Sequence, residues 1–111
     1  MSFNQRLGLR PGTEPGTVEL DPGPEHLVAP GTVHFAVLAT LAEVAAAGAA
    51  GAPVVPTQVS LQLMKRATAD APLVARGEVH RSGRTLIFAE GEVTQSGAIV
   101  ARAAVVFARV G

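Results

Sequence analysis

The stretch GTVHFAVLATLAEVAAAGAAG, residues 31–51, decides how the rest of the chain is read. From Val33 to Ala50 it contains no proline and is dominated by alanine, the strongest helix former, so it predicts a helix over 33–50. Thr32 supplies an N-cap, and Gly51 followed by Pro53 supplies the stop. An ordinary surface helix sets one apolar stripe against a charged face. This one has Val37, Leu38, Leu41, Val44 and Ala45 on one side, and Ala36, Ala39, Thr40, Ala46, Ala47 and Ala50 on the other. It carries no Lys or Arg, and Glu43 is its only charged side chain, His34 aside. A helix apolar all round must be buried all round, and a single sheet covers one side of it. The N-terminal segment or a second copy of the chain must cover the remainder, so an oligomer is expected.

Outward from the helix the texture changes in both directions. Residues 1–31 are punctuated by Pro11, Pro15, Pro22, Pro24 and Pro30, with Gly12, Gly16, Gly23 and Gly31 among them. Such a segment predicts turns, with one short strand at Thr17–Leu20. After Pro56, Val59, Leu61 and Leu63 alternate with Gln58, Ser60 and Gln62, the period of a strand. Turn signals at Asp70-Ala71-Pro72, Ser82-Gly83 and Ser96-Gly97 then separate three runs rich in Val, Ile, Leu and Phe: 73–81, 85–94 and 98–110. The expectation is a four-stranded meander over 57–110. No linker or repeat divides the chain, so residues 1–111 form one α+β domain: a long central helix wrapped by an antiparallel sheet of about five strands.

Composition removes several classes of function. Nine basic residues balance nine acidic ones, whereas a surface that binds nucleic acid carries a basic excess. The absence of cysteine excludes disulfides, thiolate catalysis and cysteine–zinc sites. Met1 to Pro11 holds no signal-peptide core, and the longest low-charge stretch, Phe35 to Val55, has Glu43 in its middle, where a membrane span rarely places a carboxylate. The expectation is a soluble cytoplasmic protein without membrane contact. His26 and His80 lack metal-ligand spacing, and no metal is expected. The glycines after Ala47 close a helix, whereas a phosphate cradle opens one, so no cofactor loop is present. Ser60, Ser82 and Ser96 lack the setting of a nucleophile.

Glu43 is the residue that most needs an explanation. Burying an unpaired carboxylate costs several kcal/mol or raises its pKa until it protonates. No Lys, Arg or His stands three or four residues away to pair with it. Either it faces solvent or a distant arginine, or it is a catalytic carboxylate in an alanine-lined pocket. His34 lies near the helix start, where N–H groups are unpaired and the dipole is positive. Nine residues separate it from Glu43, half a turn out of phase, so the two cannot form a dyad within one chain. Arg81 and Arg84 flank a hairpin tip, where they either meet a ligand phosphate or stay solvated.

The run Gly31-Thr32-Val33-His34, followed by Leu38-Ala39-Thr40-Leu41-Ala42-Glu43, resembles the helix motif of the phenylacetate-degradation-type hotdog thioesterases. There a Gly-x-x-His-Gly-Gly segment precedes a Leu-Ala-Asp/Glu ending in the catalytic carboxylate, with the same nine-residue step. Val59–Ala67, Gly83-Arg84-Thr85-Leu86 and Ile99-Val100-Ala101 are similar to that family's later strands, so the resemblance spans roughly residues 15–109. It implies a hotdog fold, with a dimer as the minimum unit and a homotetramer as the expected assembly. It also implies hydrolysis of an acyl-CoA or acyl-carrier thioester, with coenzyme A as part of the substrate and no cofactor.

The resemblance assigns Glu43 as nucleophile or general base, and the Phe35 backbone N–H as the donor polarising the carbonyl, with His34 beside it. Val28 and Gly31 fall at substrate-facing positions. Two residues depart from the motif. Phe35-Ala36 stands where the family has Gly-Gly, which adds bulk near the ligand. Val28 stands where the family has Asn or Gln, and valine cannot hydrogen-bond to a water or a carbonyl. These departures keep a second expectation open: a hotdog protein that binds an acyl ligand without cleaving it, or serves as a structural oligomer.

Overall fold

The computed structural model describes residues 1–111. The chain opens on a short helix α1 (Phe3–Leu7), then strands β1 (Arg10–Pro11) and β2 (Thr17–Leu20), a 3-10 turn (Pro24–His26), and a small ribbon, β3 (Leu27–Val28) with β4 (Thr32–Val33). The long helix α2 (Phe35–Ala50) follows, and then β5 (Val54–Leu63), β6 (Leu73–Ser82), β7 (Leu86–Gln95) and β8 (Ala98–Arg109). The α+β architecture of one helix on an antiparallel sheet is the expected one. No helix is long and apolar enough to cross a membrane.

Local chemistry explains most of these boundaries. The helix ends where Gly51 adopts φ 66°, a left-handed residue that costs glycine nothing. Ser96 and Gly97 both take positive φ, 52° and 81°, which makes the two-residue β7–β8 turn that suits a twisted hairpin. Along β7 and β8, Ile87, Ala89, Val93, Ala101, Ala103, Val105 and Phe107 alternate into the core. They meet Val37, Leu38, Leu41, Ala42, Ala45 and Ala46 of α2. Burying each of the larger side chains contributes about 1.5–3 kcal/mol.

Several details differ from the sequence-based expectations. The helix begins at Phe35, with His34 as its N-cap, so Thr32 and Val33 belong to a strand. Ala46 is buried and lies on the core face. Residues 1–31 contain α1, β1 and the first strand of the ribbon in addition to the expected strand at Thr17–Leu20. The main sheet has six strands in the order β1-β2-β6-β7-β8-β5, one more than expected. Residues 57–110 are therefore not a four-stranded meander. Only β6, β7 and β8 follow one another; β5 pairs with β8, Leu61 opposite Ala103, and forms an outer edge. The connection from β5 to β6 must pass the ends of β7 and β8, a span of roughly 14 Å at 4.7–4.9 Å per strand. Gln95 holds that connection, accepting from the Thr68 N–H and donating to the Thr68 and Ala71 carbonyls.

The helix lies unusually close to the sheet. Gly77 and Gly91 are partners on β6 and β7. A Cβ on Gly77 would meet the carbonyl of Ala45, and one on Gly91 the carbonyl of Ala42. The small residues of α2 and these two glycines thus set the layer spacing. The crossover between β5 and β6 runs under the helix start, where the Val33 N–H donates to the Ala67 carbonyl at 2.8 Å.

Candidate active site

The crossover, the ribbon and the helix start enclose an apolar cavity of about 380 Å³. Val28, Thr32 and Val33 line it from the ribbon, Phe35 and Leu38 from α2, and Leu63, Met64 and Ala67 from the β5 end and the crossover. Lys65 and Arg66 stand among them as its two cations. Arg66 reaches back to the ribbon, donating to the Thr32 Oγ1 at 2.7 Å and to the Pro30 carbonyl at 2.6 Å. Gly31 turns between these contacts with φ 88°, and its N–H donates to the Val28 carbonyl at 2.7 Å.

At the helix start the free N–H groups are nearly all committed. The Ala36 N–H donates to His34 Nδ1 at 3.0 Å, and the Val37 N–H to the His34 carbonyl at 3.0 Å. The Phe35 N–H donates to no group of the chain. It is left as an open donor at the positive end of a 16-residue helix, on a residue that lines the cavity. His34 is occupied as a cap and stacks on the Phe35 ring with centroids 4.7 Å apart.

Glu43 lies two turns further along and does not line that cavity. At 100° per residue it points away from the buried stripe, into the row Ala36, Ala39, Thr40, Ala47 and Ala50. It enters none of the chain's ion pairs. It is half-buried, and that burial, with no compensating partner, pushes its pKa above the usual glutamate value. Leu9, Thr17 and Val18 of the N-terminal segment line hollows with Val44, Gly48 and Ala49 on one flank of α2, and Glu43 lies outside them. Eight residues separate Glu43 from Phe35, roughly 12 Å along the axis. One chain therefore does not bring the carboxylate and the open amide onto the same atom.

The structure gathers Val28, Gly31, His34 and Phe35 at one end and separates them from Arg81 and Arg84. The two arginines sit at the β6–β7 tip, which Arg109 braces through the Gly83 carbonyl and the Ser82 hydroxyl. Arg81 is roughly 27 Å along β6 from Leu73, at the opposite end of the sheet from the cavity. Leu63, Met64, Lys65 and Arg66 were not singled out from the sequence. They read there as a strand end, and only the crossover shows what they face. His26, which carries no chemical signal in the sequence, is buried and doubly hydrogen-bonded. No three His, Asp or Glu side chains gather as a metal site requires.

Comparison with known proteins identifies the family and the fold. The sequence matches the Thioesterase superfamily over residues 30–101. A comparison with curated proteins finds no match. A mutant of the phenylacetic acid degradation protein PaaI from Thermus thermophilus superposes with a TM-score of 0.87 at 26% identity, covering 97% of this chain and 98% of that one. Zebra fish thioesterase superfamily member 2 gives 0.76 at 25% identity over 86% and 73% of the two chains. A hypothetical thioesterase of Streptococcus pneumoniae, solved with coenzyme A, shares the fold with a TM-score of 0.78 at 24% identity over 86% and 77%. With the family match spanning most of the chain and these neighbours covering 86–97% of it, the chain belongs to the thioesterase superfamily, whose chemistry is thioester hydrolysis.

Proposed function

We propose that this protein hydrolyses acyl-CoA thioesters at a site completed by two copies of the chain, with Glu43 of one copy acting on a carbonyl held by the Phe35 N–H of the other. The separation of these two groups within one chain carries the reading. Each is unpartnered and open, yet they stand roughly 12 Å apart along one helix, whereas a reacting carbonyl needs its donor about 3 Å away.

The free edge of β5 is the natural junction. It offers ten residues of strand with nothing on its outer side, and Val55, Val59 and Leu63 are exposed along it. Such an edge invites strand addition, and a two-fold pairing of β5 with its copy is self-complementary. Antiparallel pairing sets the start of one β5 beside the end of the other. That brings the Arg81 and Arg84 end of one copy towards the cavity end of its neighbour, where they suit the phosphates of coenzyme A. Further pairing of dimers through the remaining open faces gives a homotetramer.

In the reaction, Glu43 takes a proton from a water that attacks the thioester carbon, or attacks that carbon directly to form an anhydride that water then cleaves to the free acid and the Glu43 carboxylate. The Phe35 N–H and the helix dipole stabilise the oxyanion as it forms. Collapse of the tetrahedral intermediate breaks the carbon–sulfur bond and expels the thiol, which takes up a proton. The apolar cavity holds the acyl chain. Coenzyme A, present in the streptococcal structure, enters as the thiol part of the acyl-CoA substrate and leaves as the free thiol, and the reaction needs neither metal nor organic cofactor.

The alternative is acyl binding without cleavage. Val28 favours it, because it sets no hydrogen-bonding group beside the Phe35 amide. A thiol-release assay over a panel of acyl-CoAs, run beside Glu43→Gln, decides between the two. Hydrolysis by the natural protein and its loss in the variant is expected. Acyl-CoA binding without hydrolysis would assign the chain to the second reading.

A further inference from the structure

His26 is the one buried titratable side chain that this chemistry does not use. It is 5% exposed. Its Nδ1 accepts the Gly23 N–H at 2.9 Å, which leaves the ring proton on Nε2 to donate to the Leu7 carbonyl at 2.7 Å. The Glu25 carboxylate lies 3.5 Å from Nδ1 but is mostly exposed, and Gly23 already fills that nitrogen's bonding direction. Imidazole thus joins α1 to the 3-10 turn as a neutral two-sided clamp.

The backbone of the same residue faces the site. The His26 carbonyl accepts the His34 N–H at 2.9 Å. His34 in turn takes up the Ala36 and Val37 N–H groups and leaves the Phe35 N–H open. The next residues, Leu27 and Val28, pair with Val33 and Thr32 and carry Val28 to the cavity. A single buried ring therefore fixes the ribbon on one side of the cavity and the helix cap on the other.

We propose that His26 is a positioning residue for thioester hydrolysis, its doubly bonded ring fixing the carbonyl that holds His34 and thereby the orientation of the open Phe35 amide. This role rests on the thioesterase reading above, because it acts through that amide. Displacing an oxyanion donor by a fraction of an ångström weakens a contact made chiefly in the transition state and leaves substrate binding largely intact. Loss of the clamp should accordingly appear in kcat.

The test combines kinetics with amide exchange on the full-length protein. His26→Ala should lower kcat by about 10- to 100-fold with KM changed less than about threefold. His26→Asn retains an acceptor towards Gly23 and His26→Gln a donor towards Leu7, so each should recover part of that loss. Hydrogen exchange at the His34 amide should quicken in the alanine variant, and nitrogen-15 spectra of the natural protein should show the Nε2–H tautomer. The spectra need no variant and retain their force if the alanine variant does not fold. A proton on Nδ1, or an unchanged kcat in folded His26→Ala beside an active natural protein, would overturn the role of His26 alone. An inactive natural protein would overturn the thioesterase reading, and this role with it.

Discussion

The carbonyl oxygen of Ala42 occupies the space that a Cβ on Gly91 would need. The oxygen belongs to the helix backbone and the Cβ position is fixed by the strand backbone, so neither can turn aside as the end of a flexible side chain would. Gly91→Ala must push α2 off the sheet, at a cost of about 1–3 kcal/mol for overpacking or more. A thermal melt should show the midpoint falling by several degrees per kcal/mol. Gly77→Ala, against the Ala45 carbonyl, should behave alike. An unchanged midpoint in both variants would mean that the close helix–sheet contact is wrong.

Glu43 should couple stability to pH in a direction opposite to most carboxylates. Its folded pKa is raised by burial, so the folded state holds its proton more tightly than the unfolded chain does. The sign follows: stability is greatest below the ordinary glutamate value and declines as pH rises from there through the raised folded value. Chemical denaturation across that window should show the decline in the natural protein and its absence in Glu43→Gln. The lower limb of the pH–rate profile should lie above the ordinary glutamate value, because the carboxylate must be ionised to act. A limb at or below that value would place Glu43 in solvent or against a cation.

Val28 lines the cavity and is 42% exposed, so a polar group is tolerated there. Val28→Asn sets an amide beside the site, where a hydrogen bond made chiefly in the transition state is worth about 2–4 kcal/mol. Turnover should rise by roughly 30- to 1000-fold on a good substrate, with a smaller change in KM. Partial exposure limits any loss of stability, and a melt on the same variant checks it. Unchanged hydrolysis by a folded variant would remove Val28 from the reacting centre.

The sequence carried the helix because its signals are local: alanine propensity, a glycine stop and a missing charged face all fall between residues 31 and 51. The two Ser-Gly hairpins were legible for the same reason. The place of β5 was not. Its alternation shows that it is a strand, but its partner β8 lies about forty residues downstream, and no local pattern tells an edge strand from the first strand of a meander. The ribbon of Leu27–Val28 and Thr32–Val33 was hidden by Pro30 and Gly31, which read as turn alone. At the site, Glu43 stood out because a carboxylate on an apolar helix is anomalous by itself. Arg66 and His26 did not, since their partners at Pro30, Thr32, Leu7 and Gly23 are set by the fold.

Subunit complementation tests most directly whether the site is shared between two chains. Glu43→Gln removes the carboxylate. Phe35→Pro removes the N–H at the first helical position together with the ring that lines the cavity, and Phe35→Ala, which keeps the N–H, separates the two losses. Proline is well accommodated there, and His34 already has the extended ψ of 138° that a following proline requires. Glu43→Gln and Phe35→Pro should each alone be dimeric or larger by light scattering and nearly inactive. When these two are unfolded together and refolded in equal amounts, activity should return to about a quarter of the natural level. Half of the randomly mixed dimers hold both variants, and each of those contains one intact site out of two. Activity that stays absent while mixed dimers demonstrably form, or a natural protein that is monomeric and active, would contradict the shared site.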